Sequence, residues 1–261
     1  MDAMDIVKAN HIRSMVAQGN REDGRKANDF RNIFIKTGMM PNAEGSAQVQ
    51  LGKTTVLAGV KLQIEEPMDD TPMQGNLMMQ AELLPLASET YETGPPSADA
   101  IEFGRVVDRG IRHGKCIDME SLFIEEKKVW AVFVDLYVLN FDGNLFDAGT
   151  MAAMAALMNT KVPKVENGEA VRTERIQKLK IDNIVTSTTF AKIKDKIILD
   201  PSGDEEIAAD CRLSIATDHE KVRSMQKGKS GGIFKNEIEE MLGVSFNKHE
   251  ELKDILTKAQ V

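Results

Sequence analysis

The sequence predicts an α+β fold, and three observations carry that prediction. Alternating or β-branched runs crowd residues 32–86 before any core helix begins. A long, strongly β stretch, Val129–Asn140, is followed by GTMAAMAALM (Gly149–Met158), which is apolar all round and built of small residues. Further strand runs follow residue 183, and the chain then ends in helical periodicity. Strands, helix, strands, helix is an α+β order rather than regular βαβ alternation.

Taken in order, residues 3–18 show helical spacing (Ile6, Val7, Ile12, Met15, Val16) and stop at Gly19, suited to the left-handed C′ position. Strands are expected at Asn32–Thr37, Ser46–Leu51, Thr54–Ile64 and Asn76–Leu86, punctuated by Gly45, Gly52, Pro67, Pro72 and Gly75. After the Gly94-Pro95-Pro96 loop comes a helix capped by Ser97, with Asp99 complementing the dipole of its first turn. Leu122–Glu125 and Val129–Asn140 read as strands, and Phe141-Asp142-Gly143-Asn144 as a turn. Gly149–Met158 reads as a fully buried helix on a sheet, its methionines filling core space. Polar Lys161–Thr173 reads as a mobile loop or an interface. Strands follow at Asn183–Lys192, Lys196–Leu199, Arg212–Thr217 and Lys221–Gln226, with LDPSGDEE (Leu199–Glu206) as a turn entering a capped helical turn. Gly228–Gly232 is a joint, and Ile233–Lys258 a closing helical region expected to break near Gly243–Asn247.

The 261 residues are enough to bury a real core, and 42% apolar with 28% charged residues describes an ordinary globular chain. With 41 acids against 33 bases and net charge −8, wholesale binding of nucleic acid is disfavoured, so any such site must be a confined patch. Cys116 and Cys211 lie far apart, and His11, His113, His219 and His249 are scattered, so neither a metal site nor a disulfide framework is expected. No nucleotide or hydrolase motif calls for a cofactor. No run approaches the ~18 apolar residues of a membrane span, and the acidic start, Met1-Asp2, is unlike a signal peptide, so a cytoplasmic protein is expected.

The confined patch has one candidate. Stepping at about 100° per residue, Phe103, Val107, Gly110 and Ile111 share one side of the Ser97-capped helix, while Arg105, Arg109 and Arg112 lie within roughly 60° of one another on the opposite side. A turn-spaced row of guanidinium forks can follow a phosphate backbone. The same spacing also describes a solvated face, and Asp108 sits between the arginines.

The chain resembles the RNase PH family of phosphorolytic 3′→5′ exoribonucleases. The resemblance rests on NAEGSAQVQLGKTTVLAGVK (Asn42–Lys61), ELLPLASETYETGPP (Glu82–Pro96), IEFGRVVDRGIR (Ile101–Arg112), VWAVFVDLYVLNFDGNLFDA (Val129–Ala148) and ILDPSGDEEIAAD (Ile198–Asp210), with Arg21-Glu22-Asp23-Gly24-Arg25 upstream. More narrowly, it is similar to the non-catalytic RNase PH-like ring subunit of the archaeal exosome. The resemblance implies an RNase PH-like fold of two similar β-sheet/helix halves packed together. It divides the chain into an N-terminal helix (1–20), a first half (21–160) and a second half with its closing helix (161–261).

Departures from the family pattern decide the expected activity. Active members place Ser/Thr-Arg in the phosphate-binding turn, where this chain reads Asp142-Gly143-Asn144-Leu145-Phe146. Neither Leu145 nor Phe146 binds an anion, and losing a donor and a charge removes several kcal/mol (on the order of 3) of preorganised stabilisation. Consecutive arginines that clamp RNA in active members correspond to Ala98 and Asp99. Asp204 and Asp210 lie where active members keep their acids, in a shorter loop, so the alternative is an active exoribonuclease using those two carboxylates. Asp135, mid-strand beside Phe133 and Tyr137, reads as structural. The resemblance implies a hetero-hexameric ring, a trimer of heterodimers with a catalytic RNase PH-like subunit, capped by RNA-binding proteins. Its substrate would be single-stranded RNA, with Arg105 and Arg109, and Arg112 less directly, on its phosphates.

Overall fold

The computed structural model describes residues 3–166 and 168–260. Met1-Asp2 and Asn167 of the polar stretch lie outside them. The first sheet holds β1 (Ile33–Thr37), β2 (Gly45–Leu51), β3 (Thr54–Glu65), β4 (Asn76–Leu83) and β6 (Lys128–Asn140) in the order β1-β2-β3-β6-β4, with the short β5 (Phe123–Glu125) paired to β6. Its pairings are antiparallel except β4 with β6, which is parallel because α2 (Ala98–His113) forms the crossover between them. Strict alternation sets the inner face: Val56, Ala58, Val60 and Leu62 of β3 and Val132, Val134, Leu136 and Val138 of β6 are buried. Asp135 faces the other, half-exposed side, paired with Gly59 and Gln80 in the middle of the sheet. β4 stops short of the predicted Leu86 because Pro85 cannot continue a ladder.

The second sheet, β10-β9-β11-β12, is antiparallel throughout: β9 (Thr186–Ile193), β10 (Lys196–Leu199), β11 (Cys211–Thr217), β12 (Val222–Gly228). Two helices lie between the sheets. α3 (Leu145–Met158) packs on β2, β3 and β9, and α2 packs on β4 and β12. The small residues of α3 are required by this position: a Cβ at Gly149 would lie 2.3 Å from the Phe103 ring of α2. On the outside, α1 (Ala3–Ala17) sets Ala9, Ile12 and Val16 against Ile193, Ile198 and Ala208 of the second half, and Gly19 ends it at φ 79° as expected.

Three details differ from the sequence reading. The polar stretch Lys161–Thr173 is not a loop: β7 (Lys161–Glu166) and β8 (Glu169–Lys178) form a hairpin. Its Lys164–Glu166 and Lys164–Glu174 pairs, and Arg172 on buried Glu44, stabilise a ladder with little apolar surface. α5 (Lys235–Lys258) runs unbroken through Gly243–Asn247. Met241, Ser245, His249, Leu252 and Leu256 recur on its buried side, and that packing outweighs a glycine cost of about 1 kcal/mol. Leu122 belongs to a 3₁₀ turn (Glu120–Leu122) rather than to β5. No helix of the described residues is long and apolar enough to cross a membrane.

Candidate functional site

The arginine-bearing helix forms as its sequence dictates. Ser97 Oγ accepts the Ala100 N–H at 3.2 Å, and Phe103, Val107, Gly110 and Ile111 are buried. The three arginines share the opposite side but are not equivalent. Arg105 is exposed and makes no hydrogen bond or ion pair among the described residues. Arg109 is half-buried; its Nη2 donates to Gln226 Oε1 at 2.6 Å, and Gln226 donates on to Glu102. Arg112 grips Asp108 with two bonds, of 3.1 and 2.7 Å, and donates to the Leu77 carbonyl at 2.7 Å. Thus Arg105 alone of the row is unengaged among the described residues, while Arg109 and Arg112 are held by neighbouring groups.

The turn after β6 is held on every side. Gly143 (φ +78°) and Asn144 (φ 54°) take the left-handed conformation, and Asn144 becomes the N-cap of α3. Arg31 Nη1 donates to the Asp142 carbonyl at 2.6 Å, and Thr54 Oγ1 to the Gly143 carbonyl at 2.7 Å. The Asn144 side-chain amide donates to Asp147 Oδ2 (2.8 Å) and Asp200 Oδ1 (2.7 Å), while its backbone N–H donates to Glu206 Oε1 at 2.9 Å. Leu145 and Phe146 fill the first turn of α3. The buried Phe146 ring meets Phe103 edge-on at 6.2 Å and carries the Arg212 guanidinium 4.3 Å above it. What remains open is a recess of about 160 Å³ whose walls include Asp99, Glu102, Glu206, Leu145 and Phe146, with Arg212 as its one cation.

Electrostatics follow from burial. Asp147, wholly enclosed, is pushed up to about 6 by desolvation, against the pull of bonds from Asn144 and Thr189. Asp200 is as deeply buried, yet its charge is favoured: two bonds from the Arg31 guanidinium (2.9 and 2.7 Å) overcome desolvation and hold it below the usual carboxylate range. Glu206 is raised by burial, opposed by the Asn144 N–H and by Arg212, Lys229 and Arg31. The upstream arginines serve the same corner, Arg21 clamping Glu205 at 2.8 and 2.6 Å and Arg25 meeting Asp200 at 3.0 Å.

Asp204 and Asp210 stand apart from one another in their bonding. Asp204 opens α4 (Gly203–Ala208) and pairs with Lys8 at 3.5 Å. Asp210 takes Arg13 at 3.1 Å and the Lys194 N–H at 2.7 Å. The segment is the capped turn its sequence indicates, with Ser202 and Glu205 closing a capping box. Sequence reasoning missed Asn144, Arg31, Arg212 and the role of Glu206. Only Asn144 left a local signal, the Asn-x-x-Asp spacing to Asp147.

Two sheet-and-helix halves, with a helix-capped turn closing on a carboxylate-and-arginine corner where they meet, give the architecture of the 3′ exoribonuclease fold class. The chain belongs to the RNase PH (3′ exoribonuclease) family: residues 29–163 match its domain 1 and residues 183–248 its domain 2. It is 43% identical over 265 residues to the exosome complex component Rrp42 of Thermococcus gammatolerans, spanning 99% of this chain and 97% of that one. It is 41% identical over 264 residues to Rrp42 of Methanothermobacter thermautotrophicus, with the same coverage of 99% and 97%. Among solved structures it superposes on a chain of the Archaeoglobus fulgidus exosome with RNA bound to the active site, with TM-score 0.91, 42% identity, and 97% of this chain against 99% of that one. Rice Rrp46, at 16% identity and TM-score 0.71 over 92% of this chain and all of that one, shares the fold.

Proposed function

We propose that this chain is a non-catalytic ring subunit of an archaeal exosome. In this reading it forms the neighbour's active site jointly with a catalytic RNase PH-like partner and helps to hold single-stranded RNA. The observation that carries the reading is the closed turn after β6, where active members of the family keep a hydroxyl and an arginine for free phosphate. Here Leu145 and Phe146 occupy those places, and the Asp142 N–H and the Asn144 donors are spent on Thr54, Asp147, Asp200 and Glu206. Phosphorolysis transfers a nucleotide to inorganic phosphate, so a subunit unable to seat that anion contributes no chemistry of its own. The near-full-length likeness to Rrp42 proteins supports assembly with a catalytic paralogue. A trimer of such heterodimers capped by RNA-binding proteins, in the cytoplasm, completes the reading. Within the ring, Arg105 contacts RNA phosphate directly, and Arg109 and Arg112 extend the track.

The test is phosphorolysis by the chain alone and after mixing with its paralogue, with RNA and inorganic phosphate supplied. Nucleoside diphosphates are expected only from the mixture. Release by the isolated chain would overturn the reading in favour of catalysis through Asp204 and Asp210. Salt-bridged to Lys8 and Arg13, those carboxylates lack the phosphate seat that catalysis requires.

A further inference from the structure

The arginine side of α2 runs into a cavity. Arg105, Arg109 and Arg112 span about 10 Å of helix axis. Arg112 is also a wall of a cavity of about 460 Å³ at the C-terminal end of α2. That volume lies within the ~300–1,000 Å³ of ordinary ligand pockets. The loop between β3 and β4, the start of β4 and the segment after α2 build the remaining walls. Backbone bonds tie them together: the Gly75 N–H donates to the Met119 carbonyl and the Asp182 N–H to the Cys116 carbonyl, both at 2.9 Å.

The lining offers three kinds of surface. Met68, Leu77, Ile111, Ile117 and Met119 are apolar, and the thioethers are soft groups of the kind that pack on aromatic rings. Arg112 and Lys115 bring positive charge from the α2 side; Arg112 is shared with Asp108, whereas the Lys115 side chain has no partner among the described residues. Acceptors make up the third kind. Asp118 and Asp182 pair with Lys180 at 2.6 and 3.7 Å, while the Asp70 and Glu120 carboxylates are unpaired among the described residues. Asn76 is the decisive group. It is only 5% exposed, and its Nδ2 donates to the Glu66 carbonyl at 3.2 Å, which fixes the amide. Its Oδ1 accepts no hydrogen bond among the described residues. A buried acceptor left without a donor is costly, and an entering N–H group relieves that cost.

We propose that this cavity takes one base of an RNA strand whose phosphates follow the arginine row, and that it selects bases carrying an exocyclic amine over uracil. This rests on the reading of the chain as a subunit that helps to hold RNA, and deepens it by naming what the subunit recognises. Each kind of surface then has its counterpart in one nucleotide. Lys115 and Arg112 meet the phosphate, the apolar side chains cover the ring, and Asn76 with the carboxylates accepts from the amine of cytosine or adenine. Uracil would set a carbonyl oxygen against those acceptors. Splaying a base out of a single strand and reading its edge is the usual way proteins recognise RNA sequence.

The test is binding of oligo(C) and oligo(U) of equal length by the ring reconstituted with the catalytic paralogue, without inorganic phosphate so that neither is degraded. The wild type should bind oligo(C) about fivefold or more tightly than oligo(U). Asn76→Leu removes the buried acceptor and should bring that ratio to about 1. Should Asn76→Leu fail to fold, the double variant Asp70→Asn and Glu120→Gln carries the test: both positions are exposed, and the new amides donate to uracil, so the ratio should again fall to about 1. Arg105→Glu should weaken both oligomers alike, since a phosphate contact carries no sequence information. Equal binding of the two oligomers by the wild type, or a preference that survives the substitutions, overturns the base pocket; a uniform loss in Arg105→Glu then leaves the RNA-holding reading standing. Undiminished binding of both oligomers by Arg105→Glu overturns that reading itself.

Discussion

Asp147 and Asp200 are separated by one side-chain amide, that of Asn144, which donates to both. Their charges diverge because Asp200 has an arginine and Asp147 has only neutral donors. The native state therefore binds a proton at Asp147, at about 6 against an ordinary 3.8, more tightly than the unfolded chain does. Such a group's contribution to stability falls as pH rises from about 4 to about 6. In urea titrations at pH 4.5 and 7, the stability of Asp147→Asn relative to the wild type should improve by about 2 kcal/mol at the higher pH. Asp200→Ala should act oppositely to a simple surface change. It strands the Arg31 guanidinium and the Asn144 amide, so a loss of about 3–5 kcal/mol is expected from chemical denaturation. Arg105→Glu should leave stability within about 0.5 kcal/mol, since nothing in the described structure pairs with it. In the reconstituted ring it should weaken RNA binding and lower the salt slope by about 1. That Leu145 and Phe146 offer no ligand to an anion was legible from their side chains, and that an anion site is expected there came only from the family resemblance. The contact of Glu206 with the turn was not legible, because its partner lies 62 residues away.

At the scale of elements, α3 is the most tightly specified helix, walled by β2, β3 and β9 and by the Phe103 ring at Gly149. Gly149→Val should overpack that contact and cost about 3 kcal/mol or more, measured as a drop in the denaturation midpoint without a change in slope. Its composition of small apolar residues was visible in the chain, so burial was predictable. α5 illustrates the reverse. Gly243 and Asn247 read as a break, but Ser245 donates to the Met241 carbonyl and meets Thr188 at 2.6 Å, and His249 Nδ1 meets Thr186 Oγ1 at 2.9 Å. Those contacts to β9 keep the helix straight through the weak point. The β7–β8 hairpin was illegible for the same reason. Its ladder is stabilised by ion pairs, one of them to Glu44 of the first half, and not by an alternating apolar face.

For the molecule as a whole, α1, Arg21, Arg25 and Arg31 all reach forward to the second half, so the chain's start is stitched to residues near 200. The arginine row on α2 and the closed turn before α3 both belong to the helical layer between the sheets. Within the row on α2, Arg105 alone is unengaged among the described residues, and the net charge of −8 confines any contact with nucleic acid to a local patch.

Period and side-chain chemistry are local properties. The sequence alone therefore determined the α+β class, the capped α2 with its arginine side, and the buried α3. Partnership across distance is not local. Only the tertiary structure decided which arginine stays free, that a polar stretch pairs into a hairpin, and that the head of α3 is met by Glu206. In each case the deciding energy is hydrogen bonding or ion pairing between groups that come together only once both sheets have formed.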